Sequence, residues 1–187
     1  MTRIKVIQPR EAEGRLGEIY QDILSKRGKV ANVHKIQSLR PESIVKHQEL
    51  YLEIMFSKSE LSRAEREMMA VIVSVNNNCE YCRLHHAEAL RHYWKDDKKI
   101  DLLINNIEES GLSDREMALC RFAKELTIHP GSFEEQGSFT DRLKEKGLSD
   151  HAILDATLVV SYFNFVNRTV LSLGVEANDD EIQGYKY

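Results

Sequence analysis

Three times this chain sets a leucine and a serine ahead of a helix-forming run: Leu61-Ser62-Arg63-Ala64-Glu65, Leu112-Ser113-Asp114-Arg115-Glu116 and Leu148-Ser149. The first two are Ser-x-x-Glu capping boxes, whose side chains satisfy N–H groups that a helix start leaves unpaired. The third lacks the glutamate, but Leu148 and Ile153 have the spacing of a hydrophobic staple, as do Leu112 and Met117. Ser132-Phe133-Glu134-Glu135, after the breaker His129-Pro130-Gly131, reads as a fourth cap, and Gly111, Gly147 and Gly174 stand where helices would end. Upstream, Leu16, Ile19, Tyr20, Ile23 and Leu24 recur at spacings of three and four and predict a helix over Pro9–Leu24. Pro41 opens another, where its missing N–H costs nothing. No Asn-Gly or Asp-Gly pair marks a hairpin, so the expected fold is all-α. The repeated Leu-Ser opening hints at a duplicated two-helix unit, too degenerate to define a solenoid.

One segment pulls the other way. Met68-Met69-Ala70-Val71-Ile72-Val73-Ser74-Val75 is rich in β-branched residues and could pass for a buried strand leading into Cys79-Glu80-Tyr81-Cys82, a thioredoxin-type arrangement. Against this, the cap at Ser62 makes Arg63–Val75 one helix, apolar on all sides in its second half and therefore buried. No other convincing strand is available to build a sheet, and Pro130 is a poor stand-in for a cis-proline between strands.

At 187 residues the chain fits a single domain, expected to span 1–187 with a core from about 28 to 175, a short N-terminal arm and an acidic C-terminal tail from Asn178. A net charge of −4 without a long Lys/Arg run argues against nucleic acid or an anionic membrane as partner. No apolar run is long enough for a transmembrane helix, and the first residues lack a signal-peptide pattern. Two of the three cysteines form Cys-x-x-Cys, which suits a reducing cytoplasm better than a secreted disulfide scaffold.

The chemistry gathers around Asn76-Asn77-Asn78-Cys79-Glu80-Tyr81-Cys82-Arg83-Leu84-His85-His86. A helix starting near Cys79 places both thiols in or beside its first turn, where unpaired N–H groups and the dipole favour a thiolate. If Arg63–Val75 and Cys79–Tyr93 pair as an antiparallel hairpin, a rise of ~1.5 Å per residue brings Glu67 and His86 almost level. Cys82 and His86 share a helix face at i,i+4, with Cys79 on the same face. Glu67 could then orient His86, and His86 could polarise Cys82: orienter, base and nucleophile. Because an apolar stretch follows Glu67, its carboxyl is expected to hold a proton more readily than a surface carboxylate. A zinc site from Cys79, Cys82 and His86 is the alternative, although ligands along one helix face enclose a tetrahedral ion poorly. His85 points about 100° away from His86 and reads as support or surface. Cys120, among Met117, Ala118, Leu119 and Phe122, reads as a small buried hydrophobe. Asn164, Asn167 and Arg168 form a polar group on an otherwise apolar helix, Ile153–Leu173, either lining a site or closing a buried hydrogen-bond network.

The pattern Glu-x11-Cys-x-x-Cys-x3-His, as Glu67, Cys79, Cys82 and His86, resembles the alkylhydroperoxidase D (AhpD)-like group of the carboxymuconolactone decarboxylase superfamily, most closely its peroxidase-related branch. The likeness runs from about Gly28 to Val175 and includes Asn32-Val33, Thr127-Ile128-His129-Pro130-Gly131-Ser132 and Tyr162-Phe163-Asn164-Phe165-Val166-Asn167-Arg168. It implies an AhpD-like helical bundle whose central hairpin carries the dithiol. It also implies a peroxidase that reduces hydrogen or alkyl hydroperoxides. Cys82 would attack the peroxide and become a sulfenic acid, Cys79 would resolve it to a disulfide, and Glu67 and His86 would relay protons. The cysteine pair would be the only redox group, with no separate cofactor or metal. A thiol reductant such as a dihydrolipoyl protein and a homo-oligomer (trimer, hexamer or dimer) are the implied partners. Tyr81 stands where well-studied members carry a histidine between the cysteines, and Ala31 stands where the branch often has proline. Two other functions share these residues: protein thiol–disulfide exchange, and a non-catalytic metal-bound or oligomeric module. Lactone decarboxylation fits less well, because that branch does not use the dithiol.

Overall fold

The computed structural model describes residues 2–133, 138–177 and 179–182, and every regular element among them is helical. In chain order these are α1 (Gly14–Arg27), α2 (Asn32–Lys35), α3 (Pro41–Phe56), α4 (Arg63–Asn76), α5 (Glu80–Trp94), α6 (Asp97–Asn105), α7 (Asp114–Ile128), α8 (Ser138–Glu145), α9 (Asp150–Leu173) and α10 (Asp179–Ile182). Both capping boxes close as expected: Ser62 accepts from the Glu65 N–H and Ser113 from the Glu116 N–H, with each glutamate reaching back to its serine N–H. Ser149 caps α9 through the Ala152 N–H, and Gly174 ends it in the left-handed conformation. Of the fourth cap, Glu134 and Glu135 lie outside the described residues, as do Asn178 and residues 183–187 of the acidic tail.

The first helix differs from expectation. Pro9–Glu11 is a separate 3-10 turn, and α1 begins only at Gly14. Gly14 takes φ +52°, a left-handed value that interrupts any right-handed helix running through Ala12 and Glu13. The N-terminal arm is tied to its own chain: the Arg3 N–H donates to the Leu173 carbonyl at 2.9 Å and the Ile7 N–H to Ser38 Oγ at 2.9 Å.

The β-branched run is helix, and its place in the bundle explains its composition. Every residue of α4 from Arg66 to Ser74 is buried, with α5, α7, α9, α6 and α3 packed around it. A helix enclosed on all sides has no polar face to keep. Two buried charges interrupt this apolar surface. Arg66 donates to the carbonyls of Ile54 (3.0 Å), Ser57 (2.9 Å) and Leu61 (3.2 Å), pinning the end of α3 and the following loop to α4. Glu67, with no exposed surface, belongs to the site. A smaller cluster of Leu16, Ile19, Tyr20, Ile23, Val30 and Ile44 joins α1 to α3 beside the main core. Among the described residues no helix is long and apolar enough to cross a membrane.

Candidate active site

The dithiol sits at the turn between α4 and α5. Asn78 takes φ +53°, which asparagine tolerates better than most residues, and the Cys79 N–H donates to the Ser74 carbonyl at 2.9 Å. Cys79 is the N-cap of α5 and Cys82 lies in its first turn. Their sulfurs are 2.8 Å apart and both are almost fully buried.

The hairpin brings the carboxylate and the imidazole together as the spacing predicts: His86 Nδ1 lies 2.7 Å from Glu67 Oε2. Arg63, four residues before Glu67, supplies Nε at 2.9 Å and Nη2 at 2.6 Å to the other oxygen, Oε1. Here the structure corrects an expectation. Burial alone would push the Glu67 carboxyl up, but His86 and Arg63 together outweigh it and hold it below its ordinary range. Glu67 is therefore an ionised acceptor, and His86 must carry its proton on Nδ1 to reach it. Nε2 is then the ring nitrogen that faces away from the carboxylate and is placed to exchange a proton. Phe163 packs edge-on to His86 at 4.3 Å between ring centroids and fixes the ring plane.

The two thiols behave as one unit. Either sulfur can donate into the other at 2.8 Å, so the pair accepts a first negative charge readily and a second with difficulty. The hydrogen bond from Cys82 holds Cys79 below the ordinary thiol range against the effect of burial, while sharing that proton and burial push Cys82 up. Access divides them more clearly. Cys82 opens onto a cavity of about 110 Å³ that Glu67 and His86 also line. Cys79 opens instead onto a separate surface hollow with Glu80, Arg83, Asp101 and Asn105. His86 and Cys82 face the same cavity without a direct hydrogen bond, so His86 does not polarise the thiol by contact, as the i,i+4 spacing had led us to expect.

The asparagine group closes a buried network that also reaches the site. Asn77 Nδ2 donates to Asn164 Oδ1 at 3.0 Å and to Asn167 Oδ1 at 3.1 Å, tying the turn to α9. Asn164 donates to Thr127 Oγ1 at 3.0 Å, and Arg168 donates to the Asn164 side chain at 2.6 Å. Asn167, fully buried, lies beside the Cys82 thiol, where its side chain favours the ionised form. Tyr81, between the cysteines, donates to Glu181 Oε1 of α10 at 2.5 Å, and the same oxygen accepts the Asn32 N–H at 2.7 Å. His85 packs at a tilt against Tyr81, 4.4 Å between ring centroids, and lines the same cavity as Cys82, a place that its reading as support or surface did not include. Cys120 lies deep in α7, where burial first and the nearby Glu116 second push its thiol far up, as befits a structural residue.

Several residues that complete the cavity were not foreseen. Tyr51, Phe56, Tyr162 and Phe163 form aromatic walls, and His34, His47 and Arg27 add polar groups. Only Arg63 left a readable signal, its i,i+4 spacing to Glu67. The others come from α1, α2, α3 and α9, and nothing local in the sequence links them.

An all-helical bundle with a buried carboxylate–imidazole pair beside a Cys-x-x-Cys turn is a dithiol architecture. Residues 46–125 match the model of the carboxymuconolactone decarboxylase family. No curated protein matches in sequence. A peroxidase-related protein from Ralstonia eutropha, described as an alkylhydroperoxidase AhpD core, is 25% identical with a TM-score of 0.84, over 97% of this chain and 94% of that one. A peroxidase-related protein from Silicibacter sp. is 28% identical with a TM-score of 0.82, over 97% of both chains. The debrominase Bmp8 shares the fold at 18% identity with a TM-score of 0.78, over 98% of this chain and 99% of that one. The chain is thus similar to the carboxymuconolactone decarboxylase family over residues 46–125 and to the AhpD-like peroxidase-related proteins over nearly its whole length.

Proposed function

We propose that this protein is a cytoplasmic antioxidant dithiol peroxidase acting on hydrogen peroxide or small organic hydroperoxides. The observation that carries this reading is the 2.7 Å pairing of His86 Nδ1 with ionised Glu67, on the wall of a cavity onto which Cys82 opens. A hydroperoxide in that cavity lies between the thiol and the imidazole and bridges the gap they leave. His86 Nε2 takes the thiol proton, and the Cys82 thiolate, stabilised by Asn167, attacks the distal peroxide oxygen. The O–O bond breaks, the alkoxide leaves, and the proton returns from His86 to form the alcohol. Cys82 is now a sulfenic acid. Cys79, already against it, attacks that sulfur and expels water, leaving a disulfide. Two electrons have passed from the thiols to the peroxide. A dithiol reductant, such as a dihydrolipoyl protein, then exchanges with the disulfide and restores both thiols. The cysteine pair is the only redox group this cycle uses.

The aromatic walls support a second reading, removal of halogen from a ring. Bmp8, which lends the fold alone at this identity, has been solved with 2,3,4-tribromopyrrole bound. In that case the Cys82 thiolate would take the halogen while the ring carbon takes up a proton, and Cys79 would then displace halide to give the same disulfide.

Single-turnover measurements test the roles. Cys82→Ser should lower peroxide consumption by about 10³-fold or more, and Cys79→Ser should leave a sulfenic acid that dimedone traps on Cys82. Full activity in Cys82→Ser overturns the assignment, and halide release without peroxide turnover favours the second reading. The proposal includes self-association through the apolar face of α9, where Leu154, Leu158 and Phe165 are exposed; light scattering on the purified protein measures it.

A further inference from the structure

The cavity beside Cys82 carries more recognition than a bare peroxide requires. At about 110 Å³ it is the size of one small ring; an engineered apolar cavity of roughly 150 Å³ holds benzene. Its walls are Tyr51, Tyr162 and Phe163, faces that suit a planar ligand.

Two imidazoles supply directional polar groups. His34 and His47 pack edge to face, 5.5 Å between centroids. The Gln37 side-chain nitrogen donates to the Val33 carbonyl at 2.8 Å, which identifies it as the amide nitrogen, and the same nitrogen lies 2.9 Å from His47 Nδ1. His47 Nδ1 therefore accepts, and its proton sits on Nε2 as a donor. His34 is 5% exposed and its Nδ1 has no hydrogen-bond partner among the described residues. An orphaned buried polar atom costs roughly 1–3 kcal/mol, a cost that a ligand in the cavity would relieve. Burial keeps both rings neutral, His47 held down to about 4 and His34 well below its ordinary value.

The charge balance points the same way. Arg63 balances the charge of Glu67. Arg27 also lines the cavity, with its guanidinium over the Tyr51 ring at 5.3 Å, and it pairs with no carboxylate among the described residues. One cation is therefore left over beside aromatic walls.

We propose that this cavity binds a small aromatic acid, its ring among Tyr51, Tyr162 and Phe163, its oxyanion toward Arg27 and hydrogen-bonded by the His34–His47 pair. This deepens the peroxidase reading and rests on it for the chemistry, since it names the organic part of the hydroperoxide: a planar ring bearing an acidic group.

Binding can be measured without turnover. Calorimetric titration of the reduced protein with benzoate, benzyl alcohol and hexanoate separates ring from charge. Benzoate should bind about tenfold more tightly than either of the others, the discrimination of one ion pair at a half-buried site. Arg27→Met should erase the advantage of benzoate over benzyl alcohol. His34→Leu should weaken benzoate about fivefold or more, roughly the value of one buried hydrogen bond. Arg27 is the half-buried last residue of α1, so its variant reports on binding even if His34→Leu is poorly folded. Equal affinity for the three ligands, or an unchanged preference in Arg27→Met, overturns the proposal. Benzoate selectivity that persists in the Cys79→Ser/Cys82→Ser protein supports it independently of any peroxidase activity.

Discussion

Helices α4 and α7 open with the same leucine–serine–x–x–glutamate device, run to similar lengths, and lie side by side in the bundle. Counting from the cap serine, the fourth and fifth positions are Arg66 and Glu67 in α4 but Met117 and Ala118 in α7. The seventh is Met69 in one and Cys120 in the other. Helix α7 keeps an exposed face with Arg121 and Lys124, and buries only apolar and weakly polar side chains on the other. Helix α4 is enclosed, yet it holds two charges that α7 has no counterpart for. Each buried charge in α4 is tolerable only because other segments meet it: α3 carbonyls for Arg66, and Arg63 with His86 of α5 for Glu67. The capping device thus sets where a helix begins and says nothing about its chemistry. Chemistry enters where a buried polar side chain draws partners from several elements.

The sharpest way to break this comparison is to remove the charge. Glu67→Ala leaves Arg63 and His86 facing an empty site and should cost about 3–5 kcal/mol, read by urea unfolding. It should also slow thiol oxidation by about 10²-fold through loss of the oriented imidazole. Leu119→Ala, fully buried in α7, should cost a comparable 2–5 kcal/mol while leaving the oxidation rate of surviving folded protein within about twofold. If the two variants lose activity alike, the polar contacts of α4 are packing and nothing more.

Acid should find the same asymmetry. The folded protein holds His47 near 4 by burial, whereas the unfolded chain binds a proton at about 6.5. Stability from this group is therefore complete above about pH 6.5 and is lost as pH falls toward 4, on the order of 3 kcal/mol. Glu67, depressed by its partners against its own burial, extends the loss below the ordinary carboxylate range. His47→Phe should make the fall in unfolding free energy between pH 6.5 and 4 shallower, with His34 and His85 keeping their share of it, and an unchanged slope would place the acid sensitivity elsewhere. The smallest effect concerns the shared device itself. Ser62→Ala and Ser113→Ala should each cost about 1 kcal/mol in thermal unfolding, and the two losses should agree, because the caps satisfy the same backbone groups.

Much of this was legible in the chain. Helix starts at Ser62, Ser113 and Ser149 followed from capping chemistry, which is local and written within four residues. The hairpin and the pairing of Glu67 with His86 followed from helix rise, because the asparagine turn forces its two arms to run level. The start of α1 was misplaced because Gly14 adopts a left-handed value that an apolar period does not reveal. The proton state of Glu67 was misjudged for a different reason. Burial was visible in the apolar residues after it, but the compensating charges act through distances that depend on how α4 and α5 settle together.

What the sequence determined by itself is the helical fold, the central hairpin and the four side chains gathered at its turn, since capping, rise and side-chain spacing are properties of a single segment and its neighbour. Tertiary packing alone decided which sulfur meets the cavity, how Asn167 reaches Cys82, and which rings and cations enclose the space in front of it. Those contacts join α1, α2, α3 and α9 across long stretches of chain. They exist only once burial of apolar surface has brought the helices together, and no local pattern encodes the distances that result.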